Sequence, residues 1–113
     1  MRISLYHIKT MTPAAVDIVD QLELMGKELK DIFSLLKNID KNEAELMERA
    51  NRLSKIETEV DNIYRREISR IFNGEMDLLD IIRWKDVLGT LEDTSDEVEE
   101  LGNIIKEVTM KYA

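Results

Sequence analysis

Apolar residues recur every three or four positions along most of the chain, and this spacing predicts three long amphipathic α-helices. We expect the first helix over about residues 13–37, the second over about residues 42–72 and the third over about residues 77–111. Residues 1–11 (MRISLYHIKTM) fall outside the pattern and are expected to form an extended lead-in or a frayed helix end. The predicted fold class is therefore all-α.

Residues with strong preferences for helix ends support these boundaries. Thr12 is a capping residue, and Pro13 suits the first helical position because the N–H that proline lacks would be unpaired there anyway. Asn73 and Gly74 form a common C-terminal stop for the second helix. Short connections make consecutive helices antiparallel neighbours. We therefore expect residues 1–113 to form a single domain, an antiparallel three-helix bundle.

The apolar stripes of the three helices are narrow, so a bundle of this length has a thin core and a high ratio of surface to volume. Packing against another copy of the chain would cover the open side, and so would packing against a companion domain. We therefore expect a homo-oligomer, with the bundle completed by dimerisation, in preference to a self-sufficient three-helix bundle.

Two pairs of acidic residues stand one helical turn apart: Glu57 and Asp61 in the second helix, and Glu92 and Asp96 in the third. Glu57 interrupts the apolar face of its helix near the middle, where an unpaired buried carboxylate costs several kcal/mol. The apolar stripe of the third helix thins beside its own acidic pair, which predicts a polar, roomy zone midway along the two helices. The residues that thin this stripe are Thr94, Ser95 and Gly102.

These carboxylates need positive compensation, and the sequence leaves two answers open. Paired carboxylates from two helices could hold an oxygen-coordinated cation such as Mg²⁺, Mn²⁺, Ca²⁺ or iron. Alternatively, Arg65, Arg66 and Arg83 are near enough in sequence to form ion pairs with them. The chain has 24 acidic residues, so the spacing alone does not separate a metal site from a salt-bridged or solvated helix face.

Composition narrows the function classes. A net charge of −8 argues against nucleic acid as the main partner, because phosphate contacts need clustered Lys and Arg. The absence of Cys excludes disulfides, thiolate catalysis and Cys-based zinc sites. The single histidine, His7, is expected to precede the first helix, which does not suit a phosphotransfer domain. The sequence shows no catalytic triad and no Gly-rich phosphate loop, so we predict no catalytic residue and no enzyme.

The sequence gives no sign of membrane insertion or export. No apolar run approaches the ~20 residues of a membrane span, and the N-terminus lacks the apolar core of a signal peptide. We expect a cytoplasmic protein without a transmembrane segment. Trp84 is expected to anchor the core near the start of the third helix.

Several short motifs follow one another in the second half of the chain. I-E-x-x-x-D-x-x-x-R runs from Ile56 to Arg65, and I-x-x-I-F follows it. I-x-W-K and L-E-x-x-x-D come next, and Lys111 precedes a short tail. In this order the motifs resemble the C-terminal half of the PhoU-like phosphate-transport regulators, and within them the branch encoded beside Pit-type phosphate permeases. LYHIKTMTPAA resembles the link before the fourth helix of complete members, so the chain matches the second of their two three-helix repeats.

The resemblance implies a non-enzymatic regulator of phosphate uptake that contacts a Pit-type membrane phosphate transporter, peripheral at the inner membrane face. It also implies that the E-x-x-x-D motifs bind a divalent metal or iron, with Glu57, Asp61, Glu92 and Asp96 as the ligands. The alternative is a generic helical scaffold or dimerisation module without metal. The resemblance leaves open whether the chain is a fragment, a natural half-length form, or a protomer whose dimer rebuilds a six-helix arrangement.

Overall fold

A computed structural model describes the backbone of residues 5–112 and the side chains of residues 13–112. Over residues 5–112 the chain forms helices and no β-strand, which confirms the all-α fold class. None of the helices in this range carries an apolar stretch long enough to cross a lipid bilayer. The elements are α1 (Leu5–Leu35), a 3₁₀ turn (Leu36–Asn38), α2 (Ile39–Phe72) and α3 (Leu78–Tyr112).

α1 begins at Leu5, which corrects the predicted start near residue 13. The helix continues through Pro13, although an internal proline removes one backbone hydrogen bond and costs ~3 kcal/mol. Ile8 lies three positions after Leu5 and seven positions before Ala15. The predicted lead-in therefore has the spacing of apolar residues that is typical of a helix. His7 therefore lies within α1 and not before it. Residues 1–4 of the predicted lead-in lie outside the described residues.

α2 starts at Ile39, slightly before the predicted start, and Asn42 marks a kink near that point (φ −118°, ψ 16°). The side-chain Nδ2 of Asn42 donates a hydrogen bond to the carbonyl oxygen of Leu35 (3.1 Å), which pairs one of the carbonyls left open at the end of α1. The turn before Asn42 is therefore part of the connection between α1 and α2. α3 agrees with its predicted bounds to within one residue at each end.

Two clusters of buried residues fix the directions of the helices. The first cluster joins Ile18, early in α1, to Ile71, late in α2, and to Ile81, early in α3. The second cluster joins Leu46, early in α2, to Ile105, late in α3. α2 therefore runs antiparallel to both α1 and α3, and the molecule measures 55 × 20 × 20 Å.

Charged side chains also connect α1 to α2. The Nη1 of Arg49 donates to Oε2 of Glu28 (3.1 Å) and to Oδ2 of Asp31 (3.0 Å), both on α1. The Nε of Arg49 donates to Oε2 of Glu45, one turn earlier on α2 (2.9 Å). Nη1 of Arg52 also lies 3.5 Å from Oε1 of Glu28. Glu28 and Asp31 are therefore turned toward α2 and already have cationic partners.

Small residues let α3 approach its neighbours closely. Ser95 and Thr109 are completely buried, and Gly102 is buried as well. A Cβ atom at Gly102 would lie 3.0 Å from Cδ1 of Leu53. The roomy zone predicted midway along α2 and α3 therefore does not extend to Ser95 and Gly102, because neighbouring side chains fill the space there. Trp84 is 4% exposed and belongs to the core, as predicted.

Candidate metal centre

Glu57 occupies the inner face of α2. It stands one turn after Leu53 and almost one turn before Val60, and both of these side chains are completely buried. Glu57 itself is half-buried. The helical period therefore places this carboxylate on the core-facing row of α2, as the sequence predicts.

The carboxylate of Glu57 meets the acidic turn of α3. One oxygen each from Glu57, Glu92 and Asp96 lies within 4.8 Å of the other two. Glu92 is half-buried, and Asp96 is exposed. The structure thus brings together three of the four predicted ligands, and they come from two helices that are distant along the chain.

Asp61, the fourth predicted ligand, is not a member of this group of three. Its Oδ2 lies 3.1 Å from Nη2 of Arg65, one turn later on α2. The Arg65 side chain is 74% exposed, so water screens this ion pair and its contribution to stability is small. Asp61 nevertheless lies close enough for its charge to act on both Glu57 and Glu92.

Arg66 and Arg83 were also expected as possible partners of these carboxylates, and both form ion pairs with other acidic residues. Arg66 lies 3.8 Å from Glu59, and Arg83 lies 3.5 Å from Asp80. Among the side chains of residues 13–112, no Lys or Arg forms an ion pair with the Glu57, Glu92 and Asp96 group. The positive compensation that the sequence demands is therefore not supplied by a described side chain.

Two of the three carboxyls have raised pKa values, which lowers the negative charge that must be compensated. Burial raises the pKa of Glu57 to about 7, and a hydrogen bond with Asp96 and the charges of Glu99, Asp96 and Asp61 add to the effect. Burial likewise raises the pKa of Glu92 to about 7. The charge of Asp96, a hydrogen bond with Asp96 and the charges of Asp93 and Asp61 add to this effect. Each carboxyl therefore binds a proton more readily than free glutamate does.

The donor set of this group suits a particular class of cation. All of its ligand atoms are carboxylate oxygens, which favour Mg²⁺, Ca²⁺, Mn²⁺ and iron over metals that prefer thiolate. Oxygens less than 4.8 Å apart can share one cation, since metal–oxygen bonds in proteins are about 2.0–2.6 Å long. The residues present therefore fit the metal that the resemblance implies.

A surface groove of about 620 Å³ lies beside the group and gives it an open side. Glu92 and Asp93 border the groove at the acidic end, and Leu79 and Ile82 border it toward the start of α3. The apolar stripe that predicts the core of α3 does not predict this groove. Leu79 and Ile82 lie on a different side of α3 from the core stripe, and both are more than half exposed.

Sequence reasoning also missed two acidic positions. Glu99 lies one turn after Asp96, and its charge helps to raise the pKa of Glu57. Glu67 is 6% exposed and accepts hydrogen bonds from Arg70 at 2.6 and 2.9 Å. Glu67 is seven positions after Val60 and four before Ile71, both buried, so its place on the inner side of α2 was readable from the helical period.

Comparison with known proteins gives one distant relative. Over 69 residues the chain is 25% identical to the UPF0111 protein YkaA of Bacillus subtilis (strain 168), a PhoU-like family member. The match covers 61% of this chain and 34% of the relative, so the chain corresponds to about a third of that protein. No protein-family model and no solved structure matches the chain.

Proposed function

We propose that the protein is a non-enzymatic, PhoU-like regulator of phosphate uptake that acts by contact with a Pit-type membrane phosphate transporter. In this proposal Glu57, Asp61, Glu92 and Asp96 bind a divalent metal or iron. The observation that carries it is the convergence of three carboxylates at positions that match the E-x-x-x-D motifs of the resembled family. The PhoU-like relative supports the same assignment.

A bound cation would replace the protons on Glu57 and Glu92 and would join α2 to α3 through their carboxylates. Asp61 would become the fourth ligand, and its exposed ion pair with Arg65 would break so that its carboxylate could bind the metal. The metal would act by fixing the relative position of the two helices, and no chemical step is assigned to it.

Charge supports the proposed partner and location. The chain has a net charge of −8, whereas the cytoplasmic loops of membrane proteins carry an excess of Lys and Arg. An acidic protein on the cytoplasmic side, peripheral at the inner membrane face, is therefore complementary to a transporter's inner surface. We also include homo-oligomerisation in the proposal, because a thin three-helix core benefits from a further packing partner.

Co-purification with the phosphate transporter of the same cell, together with phosphate uptake in a deletion strain, tests this function. The wild-type chain should associate with the transporter and restore normal uptake. A variant carrying Glu57→Ala and Asp61→Ala should lose metal and regulate poorly. Glu97→Ala, an exposed position on α3, is the matched control and should behave as wild type. Absence of association, with uptake unchanged by deletion, would rule out the regulatory role.

The ion pair between Asp61 and Arg65 favours a second candidate, a helical scaffold or dimerisation module without metal. In that case, Glu57→Ala with Asp61→Ala leaves metal content and partner binding unchanged. Elemental analysis of the purified wild-type protein separates the two candidates, because a scaffold carries no stoichiometric metal.

A further inference from the structure

The outer side of α1 carries a row of residues that the other helices leave uncovered. Val19, Gly26 and Phe33 are seven positions apart and therefore lie along one side of the helix. Val19 is 48% exposed and Phe33 is 53% exposed. The half-buried Leu22 and Leu29 run beside this row and extend it toward the core.

Gly26 stands at the middle of the row. A Cβ atom at this position would meet nothing within 4 Å, so the surface above it is open. Glycine inside a helix lowers helix stability relative to alanine, and no contact within the described chain requires it here. A close approach by a second helix is a physical reason for a glycine at this point.

The exposed charges of α1 change sign at Gly26. Asp20 and Glu23 precede it, and Lys27 and Lys30 follow it. Glu23 has one exposed ion pair within the helix, with Lys27 at 3.6 Å, which water screens. Over residues 20–30 the outer side of α1 is therefore acidic before Gly26 and basic after it.

The two acids that follow Gly26 in α1 do not disturb this polarity. Glu28 and Asp31 point toward α2, where Arg49 holds both of them. The uncovered side of α1 thus combines an apolar row with two groups of charges of opposite sign. Such a pattern is complementary to an identical helix that runs in the opposite direction.

We propose that this side of α1 is where two copies of the chain associate, with their α1 helices antiparallel and a two-fold axis at Gly26. The axis places Val19 opposite Phe33 of a second copy, because each lies seven positions from Gly26. It also places Glu23 within one residue of Lys30 in the second copy, a shift of about 1.5 Å along the helix axis. Each contact occurs twice, as a two-fold symmetric interface requires.

The charges select a second copy in the antiparallel direction. A parallel arrangement would set Glu23 against Glu23 and Lys30 against Lys30, which repel. In the antiparallel arrangement Glu23 of each copy meets Lys30 of the other, and one surface supplies both partners. This inference rests on the homo-oligomerisation proposed above and is independent of the role in phosphate uptake.

Sedimentation velocity over a wide concentration range, with charge-swap variants, tests the interface. Glu23→Lys and Lys30→Glu should each weaken dimerisation by about tenfold, since each converts two attractive contacts into repulsive ones. The double variant that carries both changes should recover wild-type association, because the swapped pair is again complementary. Glu97→Lys makes the same change in net charge as Glu23→Lys on the exposed side of α3 and should have no effect.

Gly26→Leu provides a second test that preserves the fold, because the space at Gly26 in the single chain is open. This variant should keep its helical circular dichroism and become monomeric. A dimer that all of these variants leave unchanged would overturn the α1 interface while preserving self-association. A wild-type chain that stays monomeric at the highest concentration would overturn both, and would leave the metal and phosphate proposals to their own tests.

Discussion

A carboxylate oxygen of Glu57 on α2 lies within 4.8 Å of a carboxylate oxygen of Asp96 on α3, although both side chains are acids. Burial raises the pKa of Glu57, so this carboxyl binds a proton more readily than a free glutamate does. Glu92 adds a third carboxyl within 4.8 Å. The interface between α2 and α3 therefore contains a group of acids that either a proton or a cation can neutralise.

Metal binding should stabilise the wild-type protein against thermal unfolding. A cation that binds only the folded state adds about 2.7 kcal/mol at a concentration one hundred times its Kd. Glu57→Gln and Asp96→Asn should each abolish most of this gain, because each removes a ligand charge from the group. Mg²⁺, Ca²⁺, Mn²⁺ and Fe²⁺ should be compared by differential scanning fluorimetry.

Glu97→Gln is the control for this experiment, since it removes a charge next to Asp96 at an exposed position outside the group. Its response to metal should equal that of the wild type. An unchanged melting temperature of the wild-type protein with all four cations would contradict the metal site.

The metal-free protein should lose stability as the pH rises from about 4.5 to about 7 through the titration of Glu57 and Glu92. Their pKa values are raised from 4.5 to about 7 in the folded state, so the folded chain binds more protons than the unfolded chain in this window. The protonated carboxyls contribute fully below about pH 4.5, and the contribution is lost as the pH passes through about 7. Urea unfolding at a series of pH values measures this slope.

Glu57→Gln should reduce the slope, because a neutral side chain at this position does not titrate. The same variant should be more stable than the wild type at pH 8, where the ionised group of carboxylates repels itself. If the free energy of unfolding changed with pH equally in the variant and the wild type, Glu57 would not titrate with a raised pKa.

Gly102→Val should destabilise the protein by about 2 kcal/mol, which is typical of overpacking in a filled core. A Cβ at Gly102 already lies 3.0 Å from Cδ1 of Leu53 and 3.6 Å from the carbonyl oxygen of Ala50, and valine adds two methyl groups. Gly26→Ala is the matched control and should stabilise the single chain by about 0.5–1 kcal/mol through helix propensity. Chemical unfolding at low protein concentration measures both, and equal effects of the two changes would contradict the close packing at Gly102.

Ser95→Ala should raise stability by about 1 kcal/mol. Ser95 is completely buried, and its Oγ has no hydrogen-bond partner among the described residues, so its removal relieves a desolvation cost. Thr109 is equally buried, but its Oγ1 donates to the carbonyl oxygen of Ile105 at 2.7 Å. Thr109→Val should therefore not stabilise the protein. A loss of stability in Ser95→Ala would indicate that its hydroxyl has a partner in solution.

The pattern of apolar residues was sufficient to predict the helices of this protein, because a 3.6-residue period is a local property of the chain. The end of α2 followed from Asn73 and Gly74, and α3 starts within one residue of its predicted start. The start of α1 was not predictable in the same way, because Pro13 suits the first turn of a helix and here stands inside one.

By itself, the sequence determined that Glu57 lies on the inner side of its helix and that Glu92 and Asp96 share one side of theirs. Only the packing of the helices brings these three carboxylates together and fills the space beside Ser95 and Gly102. The physical reason is that the helical period fixes the direction of a side chain about its own helix axis. The register and distance between two helices depend on the packing of all their core residues together.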